Sequence, residues 1–388
     1  MNARSLLAPA TAGFLAAFVA YSSTFSVILQ GLVAVGASPE QAASGLLVIS
    51  LVMGLGGIVY SLVSRIPMNI AWSSPGAAFL AAAGVPEGGF AGAVGAFIVA
   101  GALTLIAGLV SPLARAIASI PATLTNGVLA GILLPLCLMP VRALAEMPVE
   151  AGVIIATFLV VSALAPFFAI PVAAAVTAFF MVANVPEGFA IPASLVAVPV
   201  FVMPEFHPSA MIGLGIPLFV ISMASQNVPG LTILKANGFD AAPRPLFATL
   251  GGLGILSAPF GAHSVILAAM TAALCAGDIA GPDRRLRWVS GVSCGLFYVL
   301  FGFSATLIVA FAAGSPLLVG TIAGLALLGV FSSCVKVAME REAEREAAAV
   351  AFVVTASGVA FFGVSAAVWG LIAGGGVFLL RAGIALRS

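Results

Sequence analysis

The sequence predicts an all-α polytopic membrane protein with about 14 transmembrane segments, arranged as two halves of seven with inverted topology. Hydrophobic residues make up 62% of the 388 residues and charged residues only 7%, which excludes a soluble domain of this length. Apolar runs of about 20 residues, enough to cross a hydrocarbon core of about 30 Å, recur along the chain. Two of these runs, residues 66–84 and 257–276, are broken in the same way.

The two broken runs correspond to spans 3 and 10. Each opens with extended, proline-containing sequence and then reaches a serine, Ser74 or Ser264, in the position of a helix N-cap. Pro75 follows in the favoured first helical position. We therefore predict that each span is a short extended stretch plus a half-helix. Paired interruptions of this kind indicate the binding site of a secondary transporter near the bilayer midplane.

The span count rests on punctuated apolar segments and on the distribution of basic residues. With the N-terminus inside, thirteen of the fourteen Lys and Arg residues fall on the inner side and only Arg142 falls outside, as the positive-inside rule expects. Both termini are then cytoplasmic. A twelve-span interpretation, in which weaker segments merge, stays open. The predicted spans begin near residues 11, 40, 66, 89, 115, 148, 170, 209, 245, 260, 288, 315, 348 and 365.

An odd number of spans per half forces the second half to enter the membrane upside down. Ser74 and Ser264 are 190 residues apart, and the first spans of the halves start about 198 residues apart, near residues 11 and 209. These offsets agree within the error of the boundaries and support an inverted repeat. A cleaved signal peptide is not expected, because the first apolar run continues to residue 35.

Several classes of function are excluded by what the sequence lacks. The four cysteines are scattered singly and there are only two histidines, so no metal site or other cofactor is expected. No basic cluster lies outside short loops, so the expected surroundings are a lipid bilayer and not nucleic acid. An enzyme is disfavoured because no nucleophile, metal cluster or carboxylate pair lies at membrane depth.

The two half-helices provide the expected chemistry. Helix N-termini carry about half a positive charge and free N–H groups, so two of them facing each other form an anion site without a basic side chain. No Asp, Glu, Lys or Arg lies near the centre of a predicted span. His263 is the one side chain at this depth whose ordinary pKa lies near physiological pH. It is either a proton or substrate contact or a packing histidine bonded to backbone.

Polar side chains in spans 1 and 8 are further candidates. Gln226 and Asn227 end span 8 just before Pro229, and buried amides need partners, either in the substrate or in neighbouring helices. Serines and threonines of span 1 would line a pocket if they face the half-helices, although such residues often bond their own backbone. Phe25 and Trp72 could form apolar walls for an aromatic ring.

Three groups of motifs resemble the benzoate/proton symporter (BenE) family, and the similarity covers essentially the whole chain. The segment around Gln226 and Asn227 is the most specific, and Ile266 departs from the family pattern, in which asparagine is common at that position. Where the similar uracil transporters carry a glutamate, this chain has neutral Gln226, which favours an anion over a nucleobase. The motifs occupy residues 72–78 (WSSPGAA), 223–230 (MASQNVPG) with 234–239 (LKANGF), and 260–263 (FGAH) with 268–273 (AAMTAA).

The resemblance implies the fold of the uracil transporter and sulfate transporter group. In that fold a core domain, here residues 1–113 (spans 1–4) and 209–311 (spans 8–11), moves against a gate domain, here residues 114–208 (spans 5–7) and 312–388 (spans 12–14). The implied protein is a bacterial inner-membrane homodimer that pairs through its gate domain. The implied activity is import of benzoate or a similar aromatic carboxylate with a proton.

Proton coupling also has an electrostatic reason. Bringing a monoanion into a negative-inside cell costs about 2.3 kcal/mol per 100 mV, and one proton makes the cycle electroneutral. A nucleobase or inorganic-anion transporter of the same fold and a passive anion channel remain alternatives. The residues expected to bind the substrate are Tyr21, Ser22, Phe25, Trp72, Ser73, Ser74, Gly76, Gln226, Asn227, Gly261, His263 and Ser264, with His263 also expected to couple the proton.

Overall fold

A computed structural model describes residues 3–110, 120–183, 194, 196–361 and 364–385. The predicted start of span 5 at residue 115 lies outside these ranges. Seven helical stretches of the described chain are long and apolar enough to cross a bilayer. The count of fourteen spans, their division into inverted halves and the core and gate boundaries stay predictions.

Four helices of the first half begin within one residue of the predicted starts at 40, 89, 148 and 170, whereas the first helix begins at Ala3, eight residues before its predicted start at 11. The second helix, for example, begins at Pro39, where Ser38 caps it and Gln41 completes a capping box, so local sequence fixes its start. The elements are α1 (Ala3–Ala34), α2 (Pro39–Ser64), β1 (Ile70–Trp72), α3 (Ser74–Ala83), α4 (Gly89–Leu109), α5 (Ala122–Cys137), α6 (Met139–Glu146), α7 (Pro148–Leu164) and α8 (Ala169–Ala183).

The second half starts with one long helix and then repeats the pattern of a strand followed by a short helix. Its first helix contains two π-helical turns, one of them at Met223–Asn227, and such turns occur often at functional sites. The elements are α9 (Pro208–Ala236), α10 (Pro243–Ser257), β2 (Val265–Leu267), α11 (Met270–Ala276), α12 (Trp288–Gly302), α13 (Ala305–Gly314), α14 (Pro316–Glu340), α15 (Glu342–Ala356) and α16 (Ala366–Ala385).

Both broken spans have the predicted form, and their extended stretches pair with each other. β1 and β2 form a two-stranded antiparallel sheet in which Ala71 lies opposite Ile266. Both strands are buried throughout. Each strand therefore provides hydrogen-bond partners for backbone N–H and C=O groups of the other where the helices are interrupted. The half-helices α3 and α11 begin near this crossing of the two strands.

The predicted caps of the half-helices are wrong by different amounts. Ser73, one residue before Ser74, caps α3, because its backbone is extended and its Oγ accepts a hydrogen bond from the Gly76 N–H at 3.0 Å. In span 10, the second broken span, Ser264 is followed by β2, and α11 begins only at Met270. Valine and isoleucine favour the extended chain, and pairing with β1 delays the helix.

Close helix packing holds this crossing in place. A Cβ added to Gly54 of α2 would lie 2.5 Å from the Gly295 carbonyl oxygen of α12, and one added to Gly295 would lie 2.4 Å from that of Gly54. Gly101 of α4 and Gly251 of α10 make a similar approach. Small residues commonly mediate helix packing in membranes. There the hydrophobic effect does not drive helices together, because lipid tails are as apolar as the side chains.

Candidate substrate-binding site

A cavity of about 440 Å³ lies where α1, α9 and the two broken spans meet. We call it the central cavity. Its volume is in the range of small-molecule sites. Half-exposed Phe167, Met270 and Ile279 line one side of it. The described residues that line it include no Asp, Glu, Lys, Arg or His; its polar lining residues are Ser23, Thr24, Trp72, Ser74, Gln226 and Thr271.

The first turn of α3 gives the cavity fewer backbone donors than the sequence suggests. The Gly76 N–H is taken by the Ser73 side chain, and the Ala77 N–H is taken by the Ser73 carbonyl at 2.8 Å. Pro75 has no N–H. The Ser74 N–H is therefore the donor that this turn leaves for a ligand, together with the positive end of the helix dipole.

Gly76 and Ser73, both predicted to bind the substrate, support this turn from behind. Both are buried and neither lines the central cavity. A Cβ on Gly76 would lie 2.7 Å from Cδ1 of Leu218 in α9. The absence of a side chain at this position lets α3 sit directly against α9.

Trp72 forms an aromatic wall of the central cavity. Its indole Nε1 donates a 2.8 Å hydrogen bond to Oγ1 of Thr24 in α1. The ring of Tyr21 packs against the indole with the two centroids 5.1 Å apart and also contacts Phe301 at 5.4 Å. The indole is therefore fixed by α1 and α12, and Tyr21 supports it from outside the cavity.

Two neighbouring amides of α9 hold the start of the second half-helix. The Asn227 side chain is fully buried and its Oδ1 accepts the Leu267 N–H at 2.8 Å. Oε1 of Gln226 accepts the Ala269 N–H at 3.1 Å. Asn227 thus has a structural role, whereas Gln226 still presents Nε2 to the cavity wall, where no described residue accepts its hydrogen bonds.

His263 lies behind α3 and not in the central cavity. Its Nε2 is 3.1 Å from the Ser73 carbonyl oxygen and its ring packs edge-on against Phe97, 6.4 Å between centroids. Since a carbonyl only accepts hydrogen bonds, Nε2 carries the proton and donates. The side chain is 1% exposed. His263 therefore contacts Ser73, the N-cap of α3. It does not begin the second half-helix, which starts seven residues later.

Four other predicted residues do not line the central cavity. Ser22 donates to the Phe18 carbonyl of its own helix at 2.6 Å. Phe25 lines a different, apolar cavity. Gly261 has a left-handed φ of +92° and packs against α2. Ser264 borders a pocket of only about 10 Å³.

Thr271 is a cavity residue that our reading of the sequence did not single out. It lies in the first turn of α11, is 4% exposed and lines the central cavity. Its hydroxyl neighbours that of Tyr298, but within the described chain it makes no hydrogen bond of normal geometry. The only signal was its place in the AAMTAA motif.

Residues 4–380 match the model of a family described as benzoate membrane transport protein. Inner membrane protein YdcO of Escherichia coli is 36% identical over 378 residues, covering 97% of this chain and 96% of that protein. The benzoate membrane transport protein of Acinetobacter baylyi is 30% identical over 369 residues, covering 95% and 93%.

Two solved structures share the fold at low sequence identity. The transmembrane domain of a cyanobacterial bicarbonate transporter, BicA, gives a TM-score of 0.58 at 15% identity and covers 96% of this chain and 98% of that one. A murine Solute Carrier 26 family anion transporter in the inward-facing state gives 0.64 at 12% identity and covers 97% and 68%. Since a family model and two relatives match nearly the whole chain, the protein belongs to the benzoate membrane transport protein (BenE) family, a family of transporters and not of enzymes.

Proposed function

We propose that the protein is a secondary active transporter that imports benzoate or a similar aromatic carboxylate together with a proton. The observation that carries this proposal is the central cavity, which combines an aromatic wall with several hydrogen-bond donors and has no ionised side chain among its described lining residues. The name of the Acinetobacter baylyi relative supports the same substrate class.

In this proposal the carboxylate group of the substrate binds at the start of α3. For the Ser74 N–H, Nε2 of Gln226 and the Thr271 hydroxyl, the described residues provide no hydrogen-bond acceptor of normal geometry. Hydrogen bonds to a charged group are stronger than those between neutral groups, and the α3 dipole adds a favourable field. An acidic side chain at this place would oppose the same anion.

The ring of the substrate is placed between Trp72 and the apolar side chains of the cavity. Leu274 and the half-exposed Phe167 and Met270 provide this surface. Transfer of a ring from water to such surroundings stabilises binding in proportion to the apolar area covered. A small inorganic anion would gain nothing from these contacts, which is why we favour an aromatic carboxylate.

Alternating access would use the boundary between the proposed core and gate domains. A second cavity, of about 240 Å³, lies along this boundary, between α3 and α9 on one side and α5, α14 and α16 on the other. Gln226 lines both this cavity and the central cavity. A movement of α3 and α9 against the gate helices would therefore act directly on the binding site. In this proposal the chains pair as homodimers through the gate domain, with both termini cytoplasmic.

Proton-driven uptake of benzoate is the direct test of the activity. One pH unit corresponds to about 1.4 kcal/mol per proton, so a one-proton symporter in proteoliposomes should accumulate benzoate about tenfold per unit of inward gradient. Protein-free liposomes measure the diffusion of benzoic acid itself. Accumulation no faster than this control would contradict transport, and conductance that pH cannot drive would indicate a channel. Competition by uracil or sulfate, but not by unlabelled benzoate, would indicate a transporter of a different substrate.

The neutral character of Gln226 is tested by Gln226→Glu. Two like charges about 4 Å apart near a protein surface repel by about 4 kcal/mol, so we expect benzoate affinity to fall at least about tenfold at neutral pH and to recover in acid as the new carboxyl becomes protonated. Gln41→Glu is the matched control, because it makes the same change in the α2 capping box. Equal affinity of Gln226→Glu and wild type would place the carboxylate elsewhere.

The role of His263 in proton coupling is tested by two substitutions. His263→Gln keeps an N–H donor for the Ser73 carbonyl, whereas His263→Ala removes it. If His263 carries the proton, both variants lose the pH dependence of uptake while His263→Gln still binds benzoate. If His263→Gln takes up benzoate with the pH dependence of the wild type, the histidine only holds the α3 cap and is not part of the proton pathway.

A further inference from the structure

We propose that a separate cavity near the far end of α3 is an entry site for the carboxylate, with Arg142 as its anchor. This inference rests on the proposed function. The cavity, called here the Arg142 cavity, has a volume of about 580 Å³. Ala81, near the C-terminal end of α3, lines it, whereas Ser74 at the start of α3 lines the central cavity.

Arg142 brings a positive charge to a largely apolar cavity. It lies on α6, and its side chain makes no ion pair or hydrogen bond with the described residues. Glu40, next to the cavity residue Pro39, accepts a hydrogen bond from the Ser38 hydroxyl at 2.8 Å and does not pair with Arg142. A guanidinium without a protein anion is suited to bind a carboxylate through two parallel hydrogen bonds.

Gln30 supplies a second donor in the same cavity. It lies on α1, and its Nε2 is buried and has no hydrogen-bond partner in the part of the chain that the structure describes. An unpaired buried amide costs free energy unless a ligand or water satisfies it. Leu136 and Met139 are among the apolar residues around these two donors. Together they fit an anion that also carries an apolar ring.

One face of α1 runs from the Arg142 cavity to the central cavity. Val33, Gln30, Ser26, Ser23 and Val19 follow one another at spacings of three and four residues, which places them on one side of the helix. Val33 and Gln30 line the Arg142 cavity, and Ser23 and Val19 line the central cavity. Ser26 lies between them and lines an intermediate cavity of about 180 Å³.

The intermediate cavity continues the same route. It shares Ala312 of α13 and Val319 of α14 with the Arg142 cavity. The Ser26 hydroxyl is completely buried and lacks a hydrogen-bond partner among the described residues. Unpaired donors thus recur along the α1 face, from Gln30 to Ser26 and then to the donors at the start of α3. This series would guide a carboxylate from the Arg142 cavity to the central cavity.

In the proposed topology Arg142 is the one basic residue on the outer side. A single positive charge at an entrance raises the local concentration of anions and speeds their capture, and salt screens this effect. Binding at Arg142 should therefore weaken with ionic strength, whereas binding at the uncharged central cavity should depend on salt much less.

The test is equilibrium binding of labelled benzoate to the purified protein in lipid nanodiscs at low and high salt. We expect the wild type to bind two benzoates per chain, one of them salt-sensitive. Arg142→Gln should weaken that site by about tenfold or more, since a hydrogen bond to a charged group is worth at least about one tenfold step. Arg142→Lys should retain part of the affinity. Arg285→Gln is the matched control, because Arg285 lies in an exposed turn and lines none of these cavities.

The outcomes separate this inference from the proposed function. One salt-insensitive benzoate per chain, with the same affinity in wild type and Arg142→Gln, overturns the entry site and leaves the proposed function standing. No benzoate bound to the wild type overturns both. An equal loss of the salt-sensitive site in Arg285→Gln assigns it to general surface charge and also overturns the entry site. Loss in Arg142→Gln alone supports the proposal.

Discussion

The structure depends on how the backbone of the two broken spans is satisfied inside a membrane. Lipid offers no hydrogen-bond partners, so non-helical backbone is tolerated there only where protein or a cavity provides them. Here β1 and β2 pair with each other, and Asn227 accepts the N–H of Leu267, the last residue of β2. His263 does the complementary task for the first half by donating to the Ser73 carbonyl. These bonds position the starts of α3 and α11 at one cavity.

The site follows from this arrangement with little further machinery. Once β1 is paired, Trp72 and Ser74 point into the space between the half-helices, and the π turn of α9 brings Gln226 to the same wall. Under the proposed function, hydrogen-bond donors and a helix dipole would attract the anion in place of a fixed positive charge, so the cavity would carry no net charge of its own during transport.

Sequence reasoning predicted the interruptions, because proline, serine and apolar runs are local signals. Trp72, Ser74 and Gln226, which it named as substrate contacts, line the central cavity, and their role in binding stays a prediction. It did not predict the caps or the position of His263. Whether the chain after His263 forms a helix or a strand is decided by pairing with β1, nearly 200 residues away, which no local pattern reports. Thr271 was not predicted either, because its position at the cavity depends on where α11 begins, and that start depends on the same strand pairing.

The most direct test of the central claim is the fluorescence of Trp72 during a titration with benzoate. The chain has three tryptophans, so replacing Trp288 and Trp369 by phenylalanine leaves Trp72 as the only reporter. A ring bound against the indole should change its emission saturably, with a midpoint equal to the dissociation constant of the salt-insensitive site measured by equilibrium binding. Saturable benzoate binding without any change in Trp72 emission would contradict the claim that the carboxylate binds between the two half-helices.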